Sequence, residues 1–121
     1  MSTIKEMLEK LLDDLKRVGN IEASAVVSRD GLLMSSDIPG GVHAETFAAM
    51  NATMMGAAET AVSELKKGIP DRIIIESKEA KVIVTGAGPK ALLVVMSRPE
   101  AGLGLILVEM EKISEKLEGV L

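Results

Sequence analysis

Residues Val82 to Val95 read VIVTGAGPKALLVV, an apolar run leading into G-x-G-x-x-A, the opening of a dinucleotide-binding turn. Glu109 follows at about the distance expected of the carboxylate that holds a ribose hydroxyl. That chemistry requires a helix to begin inside the glycine turn, so that its first N–H groups and its dipole meet the pyrophosphate. Here Val94 and Val95 follow, and Pro99 comes soon after, which leaves room for about two helical turns at most. Lys90 and Ala91 stand where a third glycine would be, and too few residues follow for the remaining strands of such a unit. The Gly86–Pro89 segment is therefore expected to be a hairpin turn between two core strands, with a dinucleotide bound at Gly86–Ala91 as the minor alternative, and no cofactor is expected. No Gly-Lys-Ser/Thr occurs, so there is no P-loop.

Other chemistry is sparse. His43 is the only histidine and lies beside a Gly-rich loop, where it could cap a helix or touch a partner. As a base it would need a hydroxyl nucleophile such as Ser35, Ser36 or Thr46, because there is no cysteine. One histidine among dispersed carboxylates has no metal-ligand spacing, so neither a catalytic nor a metal site is assigned. Glu59 and Glu64 read as solvent or partner contacts rather than an acid/base pair. Met50, Met54 and Met55 read as core and interface filler.

Composition narrows the function classes. The 121 residues carry a net charge of −4, with Arg17, Arg29, Arg72 and Arg98 scattered, and Phe47 is the only aromatic. A nucleic-acid surface would show a basic footprint or stacking rings, so nucleic acid is not an expected partner. The amino terminus mixes charges with apolar residues at helical spacing, unlike a signal peptide. The apolar runs Ala91–Met96 and Leu103–Val108 are too short to cross a bilayer, so no membrane partner is expected. Zero cysteine fits a reducing compartment. A single cytoplasmic domain over residues 1–121 is the expectation, able to bury about two-thirds of its unfolded surface.

The elements follow from periodicity. Thr3 and Glu6 stand at capping-box spacing before Met7, Leu11, Leu15 and Val18, predicting a helix over about 3–18 that stops at Gly19. Ile21, Ala23, Ala25 and Val27 alternate with Glu22, Ser24 and Ser28, the period of a half-buried strand, and Asp30-Gly31 turns the chain into a second strand over Leu32–Ser36. Pro39, Gly40 and Gly41 mark a loop before a long helix from Ala44 to Lys67, ended by Gly68 and Pro70. Strands are expected at Arg72–Ser77, Lys81–Thr85 and Ala91–Ser97, the last buried on both faces. A final amphipathic helix over Leu103–Leu117 places Leu105 or Ile106, Val108 or Glu109, Met110, Ile113 and Leu117 inward. Short turns give antiparallel neighbours, hence an α+β fold of α/β/α layers: a five-stranded, mostly antiparallel sheet in the order α-β-β-α-β-β-β-α.

The central helix is the unusual element, because no residue from Thr46 to Ala58 is charged. Phe47, Met50, Met54, Ala57, Ala58, Ala61, Val62 and Leu65 form one apolar stripe, read as core-facing. Across from it Ala49, Thr53, Gly56, Thr60 and Ser63 form a ridge of small residues where a solvated helix would carry Lys and Glu. Such a ridge admits a close second helix, most simply the same helix of a second copy.

The element order, this helix and the run ALLVVMSRPEAGLGLILVEMEKISEKL together resemble the roadblock / dynein-light-chain family in its prokaryotic branch. The specific features are the strand Ala91–Ser97, a turn with Glu100 and Ala101, Leu-Gly-Leu at Leu103–Leu105, the hairpin turn Ser28-Arg29-Asp30-Gly31-Leu32, and the helix from Ala44-Glu45 to Thr60. Gly102 stands where the family often has Asn, which weakens a cap. The resemblance implies a homodimer joined edge to edge through Arg72–Ser77, with Arg72, Ile74 and Glu76 in the seam and the central helices in contact. It implies a non-catalytic partner or regulator of a small Ras-like GTPase, in some relatives stimulating GTP hydrolysis; eukaryotic relatives are scaffold or motor-adaptor subunits, so a purely structural role is the alternative. A regulator could insert an arginine, for which Arg29 and Arg98 are candidates, or hold the partner's switch loops, the favoured option. The partner surface is expected at Val42, His43 and Glu45 and at Glu59 and Glu64.

Overall fold

A computed structural model describes residues 2–121. Thr3 caps the first helix, α1 (Ile4–Lys16), through a complete capping box: its Oγ1 accepts from Glu6 N at 3.1 Å, and the Glu6 carboxylate accepts from Thr3 N. The helix ends at the Arg17 cap, earlier than the spacing predicts, and Gly19 and Asn20 turn the chain with positive φ. It buries Leu8, Leu11, Leu12 and Leu15, so Leu8 and Leu12 occupy the core where Met7 was expected to contribute.

Strands β1 (Ile21–Ser28) and β2 (Leu33–Asp37) form the first hairpin, and β3 (Arg72–Glu76), β4 (Lys81–Ala87) and β5 (Ala91–Ser97) form a meander. The sheet order is β2-β1-β5-β4-β3, with every pair antiparallel. Because β5 returns to pair with β1, both become interior strands. The half-buried reading of β1 is corrected for that reason: Ala23, Ser24, Ala25, Val26 and Val27 are all buried, and its alternation of Ala with Ser reflects space on two covered faces rather than one wet face. Strand β5 is buried on both faces as its composition predicts.

Helix α2 (Ala44–Glu64) covers one face of the sheet, over Ala25, Val27, Val84, Leu92 and Val94. On the other face α1 and α3 (Leu103–Val120) enclose the larger core, with Val26, Ile83, Leu93 and Val95 beneath them. Of the alternatives for α3, Ile106 is buried, with Met110, Ile113, Ser114 and Leu117, whereas Leu105 and Val108 face outward. Gly102 caps α3 without any side-chain bond, as its departure from Asn implies.

The end of α2 also differs from the sequence reading. The stop comes at Lys66, not Gly68: Lys66 N donates to Ser63 O and Lys67 N to Val62 O, a Schellman arrangement with Lys66 at φ +57°. A lysine in the left-handed region is strained where glycine is free. Lys66→Gly should therefore raise stability by about 0.5–1 kcal/mol, the relief outweighing the extra chain entropy of glycine; thermal unfolding checks this, and a lower midpoint would contradict it.

Candidate functional site

Glycines 86 and 88, the centre of the dinucleotide-like motif, have a structural use. Gly86 lies within β4, so the turn is Gly88-Pro89-Lys90, and the residues beyond it pair with β1 and β4 as strand β5 instead of opening a helix. The phosphate-binding geometry is thus missing from the Gly86–Ala91 turn. A Cβ on Gly86 would stand 2.8 Å from the Arg29 guanidinium, and one on Gly88, already at φ +77°, would stand 2.8 Å from Glu118 Cγ.

Gly86 leaves room for Arg29. Its Nε and Nη2 donate to Gly88 O at 3.1 and 2.9 Å, and Nη1 lies 3.5 Å from Glu59 Oε2. The guanidinium thereby ties the β1–β2 turn to the β4–β5 turn and to α2. Two candidate partner residues thus already bond within the protomer. Arg29 is fastened rather than a free projecting group, and Glu59 is occupied within the chain. Arg98 is exposed, in the turn between β5 and α3, where its backbone N–H donates to Asn20 O.

The seat of α2 is narrow. Only Ala48, Asn51, Ala52 and Met55 are buried, and the two alanines let the helix lie close to the sheet. The stripe read as core-facing is therefore misplaced: Met50 is 60% exposed and Leu65 70%, and Ala57 and Ala61 are also exposed. The uniform apolarity of the helix hid its phase, since no charged face marked the outside. Thr46, Phe47, Met50 and Met54 instead form one wall of a groove of about 330 Å³, whose other side is Ile75 of β3 and Val82 of β4. Val42 and His43 stand at its mouth, and the His43 side chain makes no capping bond. Asn51 is also in the wall; its Nδ2 donates to Phe47 O at 2.7 Å while Oδ1 is buried without a partner.

Ala49, Thr53, Gly56, Thr60 and Ser63 are all exposed. Ala49 lies beside Gly31, so this ridge runs along the β1–β2 side of α2, away from the groove. The Thr53 and Thr60 hydroxyls donate to Ala49 O and Gly56 O, which leaves few unmet donors on this face. An added Cβ at Gly56 meets nothing within 4 Å, so packing inside the protomer does not require glycine there. Glu45 and Glu64 are exposed near the two ends of the same helix.

Strand β3 is a free edge. Asp71 O accepts from Gly86 N and Ser77 N donates to Ala80 O, so the odd-numbered residues bond inward to β4 and the backbone groups of Arg72, Ile74 and Glu76 point out of the sheet. Their side chains share the face of Ile83, the side covered by α1 and α3, while Ile73 and Ile75 face the α2 side. Neither Arg72 nor Glu76 takes part in an ion pair among the described residues. No helix among those residues is long and apolar enough to cross a membrane.

The same arrangement occurs in known proteins. Residues 7–97 match the Roadblock/LC7 domain. An uncharacterized protein of Methanocaldococcus jannaschii is 34% identical over 114 residues, 94% of this chain and 99% of the relative. The solved structure described as MglB with tetrameric arrangement superposes with a TM-score of 0.91 at 18% identity, covering 99% of this chain and 91% of that one. Myxococcus xanthus MglB gives 0.88 at 20% identity, with 94% of each chain covered. At those identities the two structures speak for the fold, while the domain match and the archaeal relative speak for descent, and the chain belongs to the Roadblock/LC7 family.

Proposed function

We propose that this chain is a homodimeric, non-catalytic regulator or adaptor that binds a small Ras-like GTPase in the cytoplasm. The observation that carries the dimer is β3, an unpaired edge reading Arg-Ile-Ile-Ile-Glu beside an uncovered apolar groove. Exposed edges of this kind invite pairing with another chain unless they are blocked. Antiparallel self-pairing about Ile74 sets Arg72 opposite Glu76 of the partner subunit, and the outward backbone groups of residues 72, 74 and 76 then find each other. The second α2 would come over the Met50 and Met54 flank, and a donor arriving with it could satisfy Asn51 Oδ1, whose isolation otherwise costs about 1–3 kcal/mol.

In this reading the small ridge Ala49, Thr53, Gly56 and Thr60, with Val42 to Glu45 at one end and Glu64 at the other, remains for close contacts with a further helix or with the GTPase. The GTPase itself follows from the family resemblance. With Arg29 fastened to Gly88 and Glu59, the reading favours action by holding the partner's switch loops over insertion of an arginine.

Capture on the immobilised protein, with a non-hydrolysable GTP analogue in one arm and GDP in the other, tests the partner by mass spectrometry. Nucleotide-dependent enrichment of a small Ras-like GTPase is expected. A partner set indifferent to nucleotide would instead assign the protein to structural scaffolding. Gly56→Leu supplies a second check: replacing an exposed mid-helix glycine should stabilise the isolated fold by about 0.5–1 kcal/mol, yet overpack a close contact and weaken capture or self-association. If both associations keep their wild-type strength, the ridge is ordinary surface.

A further inference from the structure

On the side of the sheet away from α2, helix α3 stops short of covering β3 and leaves a cleft of about 530 Å³. Its apolar lining includes Leu107, Met110, Pro70 and Pro89. Along its rim α3 presents Glu111, Glu115 and Glu118, and Asp71 faces them from the α2–β3 connection. None of these four carboxylates takes part in an ion pair among the described residues. The opposite flank of the same helix behaves differently: there Lys112 pairs with Glu109 at 3.3 Å, and Lys116 lines a separate groove against α1. Charge on α3 is thus segregated, with the acids gathered on the cleft side. Two cations also line the cleft, but Arg29 is committed to Glu59, leaving Arg72 against the four acids.

Ser114 is a second, independent observation that points to a ligand here. It is 8% exposed, belongs to the cleft lining, and its Oγ has no hydrogen-bond partner among the described residues. A buried hydroxyl without a partner is costly and is usually satisfied by something.

We propose that this cleft binds a basic segment of a partner protein, its lysine or arginine stems lying on Leu107 and Pro70 and its charges reaching the α3 carboxylates. Aliphatic stems with charged heads suit an apolar floor under an acidic rim better than a compact ion would. Glu111 and Glu115 lie about 6 Å apart along the helix axis, close to the spacing of alternate side chains on one face of an extended peptide.

The test uses the full chain and an acetylated, amidated peptide of sequence Lys-Leu-Lys-Trp-Lys-Leu-Lys. The protein has no Trp or Tyr, so Trp emission reports the peptide alone. Saturable, salt-sensitive binding is expected, weakened about tenfold or more when Glu111, Glu115 and Glu118 are all changed to Gln. Changing Glu9, Glu22 and Glu79 to Gln removes the same charge elsewhere and should leave binding unchanged. Amide shifts of Ser114 and Gly88 in the wild-type protein should move with the peptide, a readout independent of any variant. Equal weakening by both triple variants would reduce the effect to general attraction by an acidic protein. Spermidine matching the peptide in affinity and in sensitivity would replace a protein partner by a small polycation. Either result, or the absence of saturable binding, overturns the proposal.

Discussion

Leu93→Ala is expected to cost the fold about 3 kcal/mol, because it empties the centre of the larger core. Leu93 is fully buried on β5, with Val26 of β1 on one side and Thr85 of β4 on the other, under the face closed by α1 and α3. Sheet neighbours on both sides and helices overhead limit how far the site can collapse, so much of the cavity should persist. For a domain held by about 5–15 kcal/mol, that loss is large. Leu105→Ala provides the contrast: its side chain is 57% exposed on the outer face of α3 and should cost under about 0.5 kcal/mol. Urea unfolding at one fixed protein concentration separates the two, provided the m-value is unchanged. A loss below about 1 kcal/mol for Leu93→Ala would mean that β5 does not occupy the middle of a doubly covered sheet.

Leu93 could be placed from sequence because ALLVVM, ahead of Ser97, has no polar residue to spare for a wet face. The capping box at Thr3, the turn at Gly31 and the order of all eight elements were legible for similar reasons, since each rests on local chemistry with one good solution. Reading failed where several solutions shared one pattern. Strand β1 alternates as a surface strand would, but its partner β5 comes from far along the chain and covers it. In α2 only a polar face could mark which side is outside, and Thr46 to Ala58 offers none, so Met50 reads as inward although it stands at the groove. The tether from Arg29 to Gly88 spans 59 positions and could not be seen in spacing, although the two glycines that accommodate it were conspicuous. The α3 cleft was invisible for a related reason: Glu111, Glu115 and Glu118 look like the ordinary wet side of a helix until β3 is found to be left uncovered beside them.

The proposed seam makes the most discriminating prediction, because a two-fold strand pair uses each of its charges twice. With Ile74 on the axis, Arg72→Glu sets like charges opposite each other at both ends of the seam, and Glu76→Arg does the same with opposite sign. Cross-strand charge pairs contribute about 0.5 kcal/mol each, and like pairs cost a comparable amount. Either single reversal should therefore weaken self-association by about 2 kcal/mol, a factor of roughly 30 in dissociation constant. The double variant, Arg72→Glu with Glu76→Arg, restores both pairs with their polarity exchanged and should return to within a few-fold of the parent. Both side chains are exposed and form no ion pair among the described residues, so the substitutions should leave the fold intact. Sedimentation over a range of concentrations measures all four proteins. Weakening by both single reversals with recovery in the double variant would be hard to obtain from anything but this register, because a net-charge effect would move the two single reversals in opposite directions. If the single reversals leave self-association unchanged, or the double variant is weaker than both, β3 is not the seam, and the α2 groove must be covered in some other way.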